Sequence, residues 1–171
     1  MIFETDNLLV RRSTLDDVSD YLSFWNDPVA MRYIGDGTWG GGEDIVIKVL
    51  EENIAFYDRY AGLGFWSVVD KATQKVIGEA GLGILHSTGE IEAGFLLAQP
   101  NWRRGYGTQV LVGLLEYGFK KLELRAIAAV AHPENAASIR VLTKCGFVPC
   151  GAILDRGITV AKFRASPDAL A

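Results

Sequence analysis

The chain has 171 residues, a length that fits one domain (residues 1–171) with a hydrophobic core of its own. Hydrophobic residues make up 49% and charged residues 22%, which excludes global disorder. A net charge of −4 lacks the basic footprint of a nucleic-acid binder, so no nucleic-acid partner is expected.

Cys145 and Cys150 stand outside any C-x-x-C spacing, and the chain has only two histidines, so the cysteines read as reduced thiols and no metal is expected. Met1 to Arg12 carries acidic residues and no continuous apolar run, unlike a signal peptide. The apolar stretch 126–131 is far too short to span a membrane. The expectation is a cytoplasmic protein with no membrane partner.

Leu8, Leu9 and Val10, flanked by polar residues, predict a first strand. Ser13 or Thr14 then caps a helix running to about Trp25, and Asp27-Pro28 opens a short one. Residues 35–42 hold five glycines and read as a loop. Ile47, Leu50, Ile54, Tyr57 and Ala61 recur at steps of three and four, which predicts a helix over about 43–60. Closely spaced strands at 64–70, 76–85 and 90–98 predict an antiparallel meander. A long helix follows over about 104–122, with Val110, Leu111, Leu114, Leu115, Gly118 and Leu122 on its buried side. Residues 126–131 predict a central strand, 135–144 a helix stopped by Gly146, and 147–150 and 158–164 two closing strands around a short loop at 151–157. The fold class is α/β (α+β).

Chemistry concentrates in the stretch from Phe95 to Thr108: an apolar strand, a turn, then a basic, glycine-containing loop opening a helix. The first amides of a helix have no intrahelical acceptor and sit at its positive end, so they attract anions. Gly105 and Gly107 let the backbone approach a phosphate, and Arg103 and Arg104 add charge. A pyrophosphate-bearing ligand fits this end. It is not a dinucleotide fingerprint, because Val110 stands where the third glycine belongs, and no Gly-Lys-Ser/Thr of a P-loop is present. Downstream, Asn135 and Ser138 begin a helix and Lys144-Cys145-Gly146-Phe147 ends it. On their own these read as an N-cap, a first-turn residue and a C-terminal stop.

In order and spacing, four segments resemble the GNAT superfamily of acyl-CoA-dependent N-acyltransferases, and within it the Rim-type ribosomal-protein N-terminal acetyltransferases. They are the opening strand at Thr5–Arg11, Glu92-Ala93-Gly94-Phe95, the loop from Trp102 to Thr108, and Asn135-x-x-Ser138 with Lys144–Phe147. The resemblance implies a mixed, mostly antiparallel seven-stranded sheet that splays apart after its fourth strand, flanked by about four helices. It implies acetyl-CoA as co-substrate, its pantetheine along the backbone of Phe95, Leu96 and Leu97. The amides of Arg103, Arg104, Gly105, Tyr106, Gly107 and Thr108 would hold the pyrophosphate, and Asn135 would bond the pantetheine arm.

The implied reaction is direct attack of an amine on the acetyl group in a ternary complex, most readily by a protein or peptide α-amine. Such an amine, with a pKa of about 8, is roughly one-tenth neutral at pH 7, far more than a lysine. Glu92 is the first candidate base and Glu79, one strand earlier, the second. Ser138 is the candidate donor to the thiolate, because Leu142 stands where many relatives carry a tyrosine. Trp102 and Gln109 also depart from the family pattern. Two alternatives stay open: a polyamine or aminoglycoside acceptor, and a non-catalytic acyl-CoA-binding regulatory domain. A homodimer is compatible with the sequence, which gives no interface.

Overall fold

The computed structural model describes residues 1–60 and 62–170. A two-residue strand, Phe3–Glu4 (β1), pairs with Leu8–Arg11 (β2), whose Leu8 and Val10 are fully buried. Gly64–Asp70 (β3), Val76–Ile84 (β4) and Ile91–Leu97 (β5) extend the sheet as the expected antiparallel meander. Ile127–Ala131 (β6) runs parallel to β5, and the hairpin of Val148–Asp155 (β7) and Ile158–Ala165 (β8) completes it. The strand order is β1-β2-β3-β4-β5-β6-β8-β7. The sheet therefore has eight strands against seven expected; the extra one, β1, is too short to leave a periodic signal. The expected loop at 151–157 shrinks to Arg156 and Gly157, because β7 continues through Gly151 and a register shift between Pro149 and Ala152.

Helices form at Val18–Trp25 (α1), Pro28–Met31 (α2), Glu43–Arg59 (α3), Tyr106–Glu116 (α4) and Ala136–Lys144 (α5). Thr14 rather than Ser13 stands at the N-cap of the single 3₁₀ turn leading into α1, while the Ser13 hydroxyl turns inward to Tyr21 Oη at 3.1 Å. Asp27 caps α2 by accepting from Val29 N–H at 2.9 Å. On α3 the buried positions are Val46 and Leu50, so the apolar stripe is rotated from the expected one; Ile54 is exposed, and Ala61 lies outside the described residues. After α4 the chain makes one π-helical turn, Tyr117–Lys121, in place of a continuous α-helix to residue 122. Among the described residues no helix is long and apolar enough to cross a membrane.

Two apolar clusters sandwich the sheet. Val110, Leu111 and Leu114 of α4, Leu142 of α5 and Phe147 just beyond it pack with Val10, Trp66, Ala80, Leu82 and Phe163. Tyr21, Phe24, Met31, Val46 and Leu50 of α1, α2 and α3 pack with Val69, Val76 and Leu96. The break that matters lies between β5 and β6. Their ladder holds one partner pair, Glu92 with Ala128, whereas β4 and β5 pair over seven positions. Beyond Glu92 the two strands part, and the backbone of Phe95–Leu97 faces an opening.

Candidate active site

The opening is continuous with the start of α4. Gly105 is the N-cap, with φ at 78°, a left-handed conformation that glycine adopts without strain. A Cβ built there meets no atom within 4 Å, so the space beside it is open. The first backbone bond of the helix runs from Gln109 N–H to Gly105 O at 3.1 Å, which leaves the amides of Tyr106, Gly107 and Thr108 without an intrahelical acceptor. At Gly107 a Cβ would come within 3.1 Å of the Phe95 ring, so glycine lets β5 and the helix start touch. This donor set, with the helix dipole behind it, suits a phosphate.

The side chains of this loop divide between structure and surface. Tyr106 is buried and its hydroxyl donates to Asp70 Oδ2 at 3.2 Å, so only its amide faces the opening's rim. The Arg104 guanidinium folds back, donating to Asn101 Oδ1 at 3.2 Å and lying 4.7 Å from the Tyr106 ring centroid. Arg103, at φ 60°, stays exposed. Trp102 Nε1 donates to Leu97 O at 2.7 Å and so takes one of the carbonyls expected to face pantetheine. Gln109 Oε1 accepts from the Thr5 hydroxyl at 2.7 Å, tying the N-terminal segment to α4.

Partner residues in adjacent strands share a face, and three such rows cross the centre of the sheet. Ser67, Glu79 and Leu96 form one, Phe65, Gly81 and Gly94 the next, and Gly83, Glu92 and Ala128 the third. Glu79 and Glu92 therefore point to the same side. Between them the Phe65 ring lies on glycines, with Cβ atoms at Gly83 and Gly94 falling 2.9 and 3.1 Å from it.

The two carboxyls differ in access. Glu79 is buried beneath α1 and α3, its Oε2 has no hydrogen-bond partner, and desolvation raises its pKa to about 7 against a partial lowering by Asn53. Glu92 is half-buried at the point where β5 and β6 part, and its pKa also rises to about 7. Burial is the larger cause, repulsion from Asp155 adds to it, and Arg156 opposes it.

On the other side of the opening, α5 contributes Asn135 and Ser138, both half-buried. Asn135 Oδ1 caps the helix by accepting from Ser138 N–H at 3.1 Å, leaving its amide nitrogen as the donor for a ligand. The Cys145 thiol lies 4.0 Å from Thr108 O, so α5 is docked beside the first turn of α4. Leu142 is buried in the core. The structure thus sets Phe95 against Gly107 at the helix start and Cys145 against Thr108, with Glu92 where β5 and β6 part and Asn135 and Ser138 at the start of α5. Sequence reading missed Phe65, which packs on Gly83 and Gly94 beside Glu92, and Asp155 and Arg156, whose charges act on Glu92; they come from separate segments without a local motif.

Residues 7–148 match the family model described as an acetyltransferase (GNAT) domain. The uncharacterized N-acetyltransferase YoaA of Bacillus subtilis is 30% identical over 155 residues, covering 89% of this chain and 85% of that protein. A GNAT-family acetyltransferase from Bacillus anthracis superposes with a TM-score of 0.82 at 21% identity, covering 96% of this chain and 98% of that one. RimL, the ribosomal L7/L12 alpha-N-protein acetyltransferase solved in complex with coenzyme A, gives a TM-score of 0.81 at 16% identity, covering 98% of both chains. With the helix-start anion site and the splayed sheet in place, this chain belongs to the GNAT acetyltransferase family.

Proposed function

We propose that this enzyme transfers the acetyl group of acetyl-CoA to the α-amine of a protein or peptide, with Glu92 as general base. The observation that carries the proposal is the Glu92 carboxyl, half-buried where β5 and β6 separate and raised to about 7. A base with that pKa holds a proton as readily as it releases one near neutral pH, which suits taking a proton from the acceptor's ammonium so that the neutral amine can attack. Glu79 has the same pKa but lies closed off under α1 and α3, so it serves the core and not the acceptor.

Acetyl-CoA supplies the activated acetyl thioester; the protein binds and orients it. The amides of residues 103–108 would grip its pyrophosphate, the open backbone of Phe95–Leu97 its pantetheine, and the Asn135 amide nitrogen the same arm. A backbone N–H near Leu96 or Leu97 would steady charge developing on the acetyl oxygen. Ser138 would donate towards the departing sulfur, a modest contribution because a thiol is already a fair leaving group.

The α-amine acceptor is favoured over a lysine because more of it is neutral at pH 7, and RimL, described as an alpha-N-protein acetyltransferase, shares the fold. A polycationic small molecule would call for an acidic pocket near the glycine-rich loop, for which Asp36, Glu43 and Asp44 are the candidates, and the Asp36 carboxylate is instead folded back onto Thr38, accepting from its N–H at 2.9 Å. Thiol release from acetyl-CoA tests the proposal, using peptides beginning Ala, Ser or Met beside polyamines, aminoglycosides and lysine peptides. Turnover confined to peptide N-termini is expected. Turnover confined to a small molecule, or acetyl-CoA binding with no turnover, would overturn the acceptor or the catalytic reading respectively.

A further inference from the structure

The free amides at the start of α4 can act on one ligand only if the entry to the helix is fixed, and the backbone there is permissive. Gly105 and Gly107 flank Tyr106, and the first intrahelical bond is the one from Gln109 N–H to Gly105 O. Donors that must converge on one group need placing to within about 0.5 Å. The side chains that fix this turn find their partners in other segments of the chain.

Asp70 ends β3 and is buried, and its two carboxylate oxygens serve two different segments. Oδ1 accepts from Ala72 N–H at 2.8 Å and from Thr73 N–H at 3.3 Å, which shapes the turn into β4. Oδ2 accepts from the Tyr106 hydroxyl at 3.2 Å, and the Arg104 guanidinium, set against the Tyr106 ring, comes within 3.8 Å of the same oxygen. The next residue braces α4 one turn further on. Lys71 Nζ donates to Thr5 O at 2.6 Å and Lys71 N–H to Asn7 O at 2.9 Å, while the Thr5 hydroxyl donates to Gln109 Oε1 at 2.7 Å. Tyr106 and Gln109 stand three residues apart, on one face of the helix. Both are tied to the turn at Asp70 and Lys71, Tyr106 directly and Gln109 through residues 5–7.

We infer that Asp70 is a positioning residue for the cofactor: through Tyr106 it sets where the amides at the start of α4 stand against the pyrophosphate. This rests on the 103–108 loop being the pyrophosphate site. Asp70 is buried and engaged by Tyr106, so it acts on the ligand through that side chain. Its negative charge is compatible with an anion site beyond it, because Oδ2 faces the Tyr106 hydroxyl and the Arg104 guanidinium. The turn between β3 and β4 thereby becomes part of the phosphate-binding apparatus, although it lies more than thirty residues upstream of the loop that holds the phosphate.

The test measures, by calorimetry, the binding of acetyl-CoA and of acetyl-pantetheine, which carries no phosphate. Asp70→Asn keeps an acceptor for the Ala72 and Thr73 amides and turns a donor towards Tyr106 and Arg104. Tyr106→Phe removes the hydroxyl alone. Each should raise the Kd for acetyl-CoA about three- to tenfold and leave the Kd for acetyl-pantetheine unchanged. A purely structural role would instead lower the bound fraction of both ligands without changing either Kd. Wild-type affinity for acetyl-CoA in the variants, or an equal rise in both Kd values, overturns the role of Asp70. Should Asp70→Asn not fold, Tyr106→Phe decides, since it leaves the turn at Asp70 its own bonds. If the wild type itself binds acetyl-pantetheine as tightly as acetyl-CoA, the pyrophosphate site fails and the role of Asp70 falls with it.

Discussion

Replacing Glu79 by Gln separates two carboxyls that share a raised pKa and differ in access. A carboxyl raised from 4.5 to about 7 keeps in the folded state a proton that the unfolded chain releases over that window. Its stabilising share is fully present below about pH 4.5 and is lost as pH rises through 7. For Glu79, wholly buried with Oε2 unpartnered, the rise corresponds to on the order of 3 kcal/mol. Glutamine keeps the shape and stays neutral. Denaturant midpoints for Glu79→Gln and the wild type should therefore nearly coincide at about pH 4, with the variant the more stable at about pH 8. The acidic limb of the kcat/KM profile, near pH 7, should survive in this variant, because the account assigns that limb to Glu92. A stability difference that ignores pH would refute the buried-carboxyl argument. Loss of the limb in Glu79→Gln would move the base to Glu79.

Other perturbations probe the cofactor side. Gly105→Ala places a Cβ in the open space before α4 at φ 78°. It should cost about 1 kcal/mol of stability, and calorimetry should show acetyl-CoA affinity falling about tenfold or more as phosphate-facing amides are displaced; unchanged affinity would argue against that phosphate site. Asn135→Ala should lose about 1 kcal/mol with its cap, whereas Asn135→Asp keeps the cap and loses only the donor. Equal acetyl-CoA binding by Asn135→Asp and wild type would remove Asn135 from the pantetheine contact. Trp102→Phe releases the Leu97 carbonyl and should lower stability by about 1 kcal/mol, with kcat little changed in the thiol-release assay.

Most of the fold was legible because its elements announce themselves locally. The strands at 64–70 and 91–97 have clear turn residues at their ends, and α5 has both its cap at Asn135 and its stop at Gly146. What failed depends on partners distant in sequence. The β1 strand exists only through β2, and β7 continues through Gly151 because β8 holds both sides of the register shift. The stripe on α3 was misplaced by periodicity because Asn53 faces inward towards Glu79, a polar position that no apolar count selects.

The candidate site divides the same way. Gly105, Gly107 and Asn135 sit where backbone geometry has a sequence signature. The tasks of Tyr106 and Arg104 did not show, since their partner Asp70 lies more than thirty residues away. The surroundings of Glu92 were hidden for the same reason: Phe65, which packs on Gly83 and Gly94, and the charges of Asp155 and Arg156 come to it from segments distant in sequence.

The most direct test of the central claim follows an isotopically labelled acetyl group from acetyl-CoA to a peptide carrying both a free α-amine and a lysine. Tandem mass spectrometry locates the label, and wild type is compared with Glu92→Gln. Label on the α-amine is expected, at a rate reduced roughly 10²- to 10⁴-fold in the variant. Label on the lysine would contradict the acceptor assignment, and an undiminished rate in Glu92→Gln would contradict the catalytic one.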